Sequence, residues 1–186
     1  SVLVILNTKR AAHKLFDALK ERVSDDVQLF CLTTYLCPKH RDDVMDKIKK
    51  YLQKKDGLSL ICISTQLIEA GVDLSFDCVV RSLAGLPSII QAAGRCNRHG
   101  NDRCRNVYLI CCADEDLRYL PEIDTAAQAT RCLLDRLPED VDLLSPQAIQ
   151  SYYQIYYGDQ EQLRNMLYRV VPKDGLETTM VDLISN

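Results

Sequence analysis

The sequence predicts a doubly wound α/β domain, a parallel sheet flanked by helices, followed by a helical extension. Three observations carry this. Short, near-continuous apolar runs recur along residues 1–112, as strands covered on both faces do. Apolar stripes at helical spacing separate them, the alternation that builds a parallel sheet. Small polar pairs, Asn7-Thr8, Thr33-Thr34 and Ser64-Thr65, directly follow three of the runs, and in such sheets ligands gather at the carboxyl ends of the strands.

Residues 1–6, SVLVIL, form the first strand. Asn7 and Thr8 can cap the helix that follows, whose stripe is Ala12, Leu15, Phe16 and Leu19. Residues 27–32, VQLFCL, make the second strand, and Pro38 opens a helix with Val44, Ile48, Tyr51 and Leu52 on its core face. Asp56-Gly57 is a turn signal. The third strand is 58–63, the fourth 78–83 (CVVRSL) and the fifth 107–111. Residues 113–120 are acidic and loop-like. Pro121 then opens a helix with a stripe of Ile123, Ala126, Ala127, Thr130, Leu134 and Leu137, which Pro138 ends. Another helix starts at Ser145-Pro146. The tyrosines at its end, Tyr152, Tyr153, Tyr156 and Tyr157, read as packing anchors ahead of a base-stacking surface. Residues 172–179 look like a loop. The organisation expected is one domain over 1–137 and a helical extension or linker over 138–186, towards a further domain outside this chain.

The 186 residues suit one domain with an appendage, and 47% hydrophobic residues suffice for a sizeable core. A formal net charge of −3 argues against coating nucleic acid by bulk attraction, while leaving room for local basic edges. The nine cysteines follow no regular spacing. Cys62, Cys78 and Cys111 fall in strands expected to be buried, where free cysteine acts as a small hydrophobe. An odd count without a signal peptide points to a reducing cytoplasm. No apolar run approaches the ~18 residues of a membrane span. The chain begins inside a strand-like run, as a piece cut from a longer protein would.

The most informative spacing lies in 91–100, QAAGRCNRHG. Gln91, Arg95 and Arg98 stand at i, i+4 and i+7, within about 60° of one another if a single helix carries them. Ile89, Ala93 and Cys96 would then face the core, Pro87 would sit in the first turn and Gly100 would close the helix in a left-handed cap. Such an edge offers an amide and two guanidiniums. Guanidiniums match phosphate oxygens two at a time, so a polyphosphate is the simplest target. The hydroxyl and amide pairs at the strand ends can donate to phosphate oxygens. For Asn7-Thr8 and Thr33-Thr34, helix caps or turns explain the residues equally well; for Ser64-Thr65 the functional reading is preferred.

QAAGRCNRHG fits the Q-x-x-G-R-x-x-R pattern of the sixth motif of superfamily-two helicases, and STQLIEAGVDLSFD, residues 64–77, resembles their fifth. Together the two segments look like the type I CRISPR-associated helicase–nuclease family. LTTYLCPKHRDDV, residues 32–44, is similar to that family's stretch between the fourth and fifth motifs, while LNTKRAA alone is a weak match. The resemblance covers about residues 1–112 and implies a second RecA-like domain.

It implies that Arg95 and Arg98 reach the ATP γ-phosphate across a cleft between two RecA-like domains, with Gln91 orienting that site. It implies that Gly71 and Asp73 line the nucleotide side. It places Ser64 and Thr65 at the nucleic-acid backbone and makes Asn7, Thr8, Thr33 and Thr34 candidates for tracking-strand phosphates; His40 and Arg41 match without an assigned role. It further implies ATP with Mg2+, bound mainly by the first RecA-like domain. The implied partners are single-stranded DNA, the CRISPR surveillance complex (Cascade), and that first domain together with an HD nuclease domain of the same protein. No membrane is involved.

The 186 residues hold no G-x-x-x-x-G-K-[ST] loop, no D-E-x-H-like strand end and no His-Asp cluster of a metal nuclease. The chain alone is therefore expected not to hydrolyse ATP. A zinc knuckle from Cys96, His99, Cys104 and Cys111 or Cys112 is disfavoured, because no C-x-x-C pair supports it. Two other readings stay open: another superfamily-two translocase, acting on RNA or branched DNA, and a non-catalytic RecA-like docking module.

Overall fold

The computed structural model describes residues 1–53, 59–69, 72–98, 100, 104–138 and 141–158, together with the backbone of 169–170 and 178–179. The Asp56-Gly57 turn lies outside these residues. The chain divides into two compact units, Ser1–Arg131 and Cys132–Asn186.

The first unit is built on five strands: β1 (Val2–Ile5), β2 (Val27–Leu32), β3 (Ser59–Ser64), β4 (Cys78–Ser82) and β5 (Val107–Ile110). Every pairing is parallel, in the spatial order β2-β3-β1-β4-β5. Its helices are α1 (Lys9–Lys20), α2 (Pro38–Gln53) and α3 (Leu86–Ala93), and α4 (Pro121–Leu134) begins in it and runs past Arg131. β1 sits at the centre because both of its faces are apolar. Leu3 and Ile5 join one core with Leu60 and Cys62 of β3 and with Val44 and Ile48 of α2. Val4 and Leu6 join the opposite core with Ile61 and Ile63 of β3 and with Ala11, Ala12, Leu15 and Phe16 of α1. Successive strand residues point to opposite faces, so one apolar run feeds two layers. This is the doubly wound α/β architecture the alternation predicts.

β5 departs from expectation. It is an edge strand, so Val107, Tyr108 and Ile110 are exposed. Cys111 beyond it is exposed as well, and Cys78 is half-buried; Cys62 is fully buried.

The second unit contains α5 (Pro146–Gly158) and a two-stranded antiparallel pair, β6 (Arg169–Val170) with β7 (Thr178–Thr179). The expectation of a loop through 179 is therefore corrected at Thr178 and Thr179. On α5 the tyrosines form a ladder: Tyr152 stacks on Tyr156 with centroids 5.6 Å apart, and Tyr153 on Tyr157 at 5.7 Å. Tyr152 is buried, while Tyr153 and Tyr157 are exposed.

Candidate functional site

Because the five strands run the same way, Asn7-Thr8, Thr33-Thr34 and Ser64-Thr65 all stand at one edge of the sheet. Their side chains differ in what they leave available. Asn7 is buried, and its amide is fully committed: Nδ2 donates to the Leu83 carbonyl and to Glu115 Oε2, both at 2.9 Å, and Oδ1 accepts from Arg81 at 2.8 Å. Thr8 is the N-cap of α1, its Oγ1 accepting from Ala11 N–H at 3.2 Å. Ser64 is buried and donates to the Leu32 carbonyl at 2.7 Å. Thr33 is buried, with His13 Nε2 3.3 Å from its Oγ1. Thr34 is exposed; Thr65 is buried, at 6% exposure, and makes no side-chain cap to the short 3-10 turn Gln66–Ile68 it precedes. Thr8, Thr34 and Thr65 line a groove of about 410 Å³ together with Lys9, Arg10 and Tyr35. The cap reading thus describes Thr8, and the groove draws on Thr34 and Thr65. His40 is exposed and Arg41 half-buried on α2.

The arginine edge requires a correction. Gln91, Arg95 and Arg98 do not share one helix. α3 ends at Ala93 with Gly94 as its cap, and Asn97 adopts φ +48°, left-handed backbone that asparagine tolerates better than most residues. Arg95, Cys96 and Asn97 run instead beside Phe76: Phe76 N–H donates to the Arg95 carbonyl at 2.9 Å, and Asn97 N–H donates to the Phe76 carbonyl at 3.0 Å. Gly100 is left-handed as expected, at φ +64°, but it closes no helix. Ala93 and Cys96 are only half-buried.

This geometry separates the two arginines. Arg95 is 5% exposed. Its Nε donates to the Ile68 carbonyl at 3.0 Å and its Nη2 to the Glu69 carbonyl at 2.5 Å, while Nη1 is buried without a hydrogen-bond partner. Burial, and then the neighbouring Arg98 charge, lower its pKa from the usual guanidinium range. Arg98 exposes 40% of its side chain and pairs with Asp73, Nε to Oδ1 2.9 Å; its backbone N–H donates to Ser75 Oγ at 3.0 Å. Gln91 is exposed. Gly71 and His99 lie outside the described residues. Two of the three polar side chains, those of Gln91 and Arg98, are therefore exposed, and the Arg98 guanidinium lies beside Asp73. Arg95 holds the turn behind them. Among the described residues no three His, Cys, Asp or Glu gather closely enough to hold a metal ion; the Cys96 thiol points at the carbonyls of Asn106 and Asp77, at 3.5 and 3.8 Å.

Two residues that local patterning did not single out join the groove and the arginine rim. Arg81 is fully buried within β4. Its Nε lies 2.9 Å from Glu69 Oε1, and its Nη groups donate to Asn7 Oδ1 at 2.8 Å, the Ser82 carbonyl at 2.9 Å and Ser88 Oγ at 2.8 Å. Ser88, in the first turn of α3, donates in turn to Glu69 Oε2 at 2.7 Å. Burial raises the Glu69 pKa against the pull of Arg81, and burial lowers that of Arg81 against the pull of Glu69 and Glu115. A charged residue inside an apolar strand was the available signal, because a buried charge requires partners. Glu115, beyond β5, accepts from Asn7 N–H, Thr8 N–H at 3.1 Å, Asn7 Nδ2 at 2.9 Å and Ser82 Oγ at 2.5 Å. Its carboxylate thus ties the ends of β1 and β4 together at the N-terminus of α1, where negative charge is favoured.

Comparison with known proteins supplies a family. The family described as CRISPR-associated nuclease/helicase Cas3, C-terminal, matches residues 1–101. A CRISPR-associated nuclease/helicase Cas3 from Methanothermobacter thermautotrophicus is 31% identical over 139 residues, covering 73% of this chain and 16% of the relative. Among solved structures, T. fusca Cas3 with ADP superposes with a TM-score of 0.67 at 22% identity, over 88% of this chain and 22% of that one. A chain of a CRISPR RNA-guided surveillance complex, pre-nicking, gives 0.60 at 20% identity over 89% and 23%. These likenesses show the same fold. The chain spans less than a quarter of the length of each of these proteins.

Proposed function

Because this chain belongs to the Cas3 C-terminal family, we propose that it is the second RecA-like lobe of an ATP-dependent single-stranded DNA translocase that degrades invader DNA in type I CRISPR interference. On this reading residues 1–137 are the lobe, and 138–186 link it to a further domain. A first RecA-like lobe holds most of the ATP and its Mg2+, an HD nuclease domain cuts, and the surveillance complex delivers the DNA in the cytoplasm. One observation supports the reading most: of the three motif side chains Gln91 and Arg98 are exposed, Arg98 beside Asp73, while Arg95 is buried against the Ile68 and Glu69 carbonyls.

Hydrolysis spreads negative charge over the γ-phosphoryl oxygens, and a guanidinium supplied across a cleft accelerates it by about 10³–10⁵-fold. Arg98 is the group free to reach that phosphate once it exchanges Asp73 for it. Asp73 holds the guanidinium in place meanwhile, and Gln91 orients the site through its amide. Arg95 fixes the Ile68–Glu69 turn, and Gly71, close by in sequence, belongs to the same nucleotide side. Placing Arg98 on a second lobe makes the reaction depend on lobe closure. Thr34 and Thr65 at the groove, with Thr8 beside them, grip the strand backbone. Asn7, Thr33 and Ser64 position that grip from inside, so the motor reads no base sequence. In the protein that pairs this lobe with a nucleotide-binding lobe, Arg98→Ala is expected to lower DNA-stimulated ATPase by about 10³-fold or more while DNA binding persists. The chain by itself is expected to show no ATP turnover. Near-normal ATPase in Arg98→Ala, or turnover by the chain alone, would contradict the proposal.

A further inference from the structure

The groove at the carboxyl edge carries an aromatic ring that the proposed backbone grip does not use. Tyr35 is 63% exposed, a large apolar area to leave in water beside the polar ends of three strands. The turn beneath it is held: Tyr35 N–H donates to Thr33 Oγ1 at 3.4 Å, and Leu36 N–H to the Thr33 carbonyl at 3.2 Å. The ring does not stand alone. Lys9 Nζ lies 4.5 Å from its centroid, and the His13 ring is 5.1 Å away, tilted by 41°. His13 is itself anchored by its Nε2, which lies 3.3 Å from Thr33 Oγ1. Lys9 and Arg10, both exposed in the first turn of α1, bring two positive charges to the same groove.

We propose that Tyr35 is a base-stacking platform for single-stranded DNA, with Lys9 and Arg10 taking the flanking phosphates. The inference rests on the reading that this face holds a strand, and adds a base interaction where that reading supplies backbone interactions alone. Every base has a π-face, so a ring and two cations in one groove bind a strand without choosing its sequence. Lys9 and a base compete for the face of Tyr35. In the free protein the ammonium covers the ring by cation–π attraction. When a base arrives, Lys9 moves off the ring onto a phosphate, so one side chain protects the platform and then neutralises the ligand. His13 bounds the ring and limits how it can swing.

The test compares two strands of equal length and charge, oligothymidylate and an abasic strand of the same backbone, binding to the full chain by fluorescence anisotropy. Tyr35→Ala is expected to weaken oligothymidylate about 5- to 10-fold, the lower part of the range for one base–aromatic stack, and to leave the abasic strand unchanged. Tyr35→Phe is expected to bind like the native chain. Lys9→Ala with Arg10→Ala is expected to weaken both strands and to reduce the salt slope by about 0.7 for each phosphate left without its cation. Equal weakening on both strands in Tyr35→Ala, or weakening on neither, overturns the stacking proposal while leaving the backbone grip standing. Failure of the native chain to bind either strand, or indifference to removal of both cations, overturns the strand reading of this face and the stacking with it.

Discussion

Arg95 and Arg98 stand three residues apart in one motif, yet one is buried and the other exposed, and stability separates the two. Replacing Arg95 by alanine removes two charge-assisted hydrogen bonds, to the Ile68 and Glu69 carbonyls. Each is worth about 1.5 kcal/mol at the low end of such bonds, about 3 kcal/mol together. The substitution also releases a buried Nη1 that has no partner, which returns about 1 kcal/mol. The net loss is about 2 kcal/mol, or about 4–8 °C in Tm for a chain of this size. Arg98→Ala breaks an ion pair whose side chains are 40% and 73% exposed; such pairs contribute less than about 1 kcal/mol, and Tm should fall by less than about 2–4 °C. Thermal and urea unfolding followed by circular dichroism decide between the two. With ATPase measured on the same substitutions in the protein that pairs this lobe with a nucleotide-binding lobe, Arg95→Ala should lose stability and activity together, and Arg98→Ala activity alone. Equal destabilisation by the two substitutions, or a fully stable Arg95→Ala, would refute the division between a bracing arginine and a reaching one.

Glu115→Ala should cost about 3–5 kcal/mol, because four donors around the ends of β1 and β4 lose their shared acceptor; urea titration giving less than about 1 kcal/mol would show that water replaces the carboxylate without penalty. Cysteine alkylation of the native chain should modify the exposed Cys37, Cys104, Cys111 and Cys132 first. Burial pushes the Cys31 thiol up to about 11 and the fully buried Cys62 thiol higher still. Reactivity follows the thiolate, so Cys62 should label only in denaturant. Mass spectrometry finding Cys62 labelled as fast as Cys37 in the folded chain would count against this core.

The strands were legible because parallel sheets bury both faces of each strand, and runs such as SVLVIL have little other use in a soluble fold. The edge position of β5 was not. VYLI is as apolar as a central strand, and spatial order depends on which neighbours pair, a non-local matter. The arginine rim was half legible. Spacing identified Gln91, Arg95 and Arg98 as a set, but assumed the helix continued through Gly94 and Asn97. Gly94 capping α3 and Asn97 at φ +48° redirect the backbone along Phe76, and that turn buries one arginine while leaving the other at the surface. Gly94, an isolated glycine inside a helical pattern, was the visible sign of a cap. Glu115 offered no comparable hint. Its partners lie more than thirty residues away at the nearest and more than a hundred at the farthest, and one acid in an acidic loop looks like any other.

Arg81 matters through what it makes rigid. Glu69 offers its backbone carbonyl to Arg95 and its carboxylate to Arg81; Arg81 holds Asn7; Asn7 and Thr8 share Glu115. Buried charge of this kind contributes little net stability against an apolar replacement, but removing one partner strands the other at a cost of about 3–5 kcal/mol. The network therefore resists any rearrangement that would separate the rim from the groove within the lobe. If a nucleotide binds at Arg98, it cannot shift Thr8 relative to the sheet without breaking bonds worth more than one exposed ion pair supplies. If this lobe works in a motor, the stroke consequently has to be a movement of the whole unit against another body, with rim and groove carried along together.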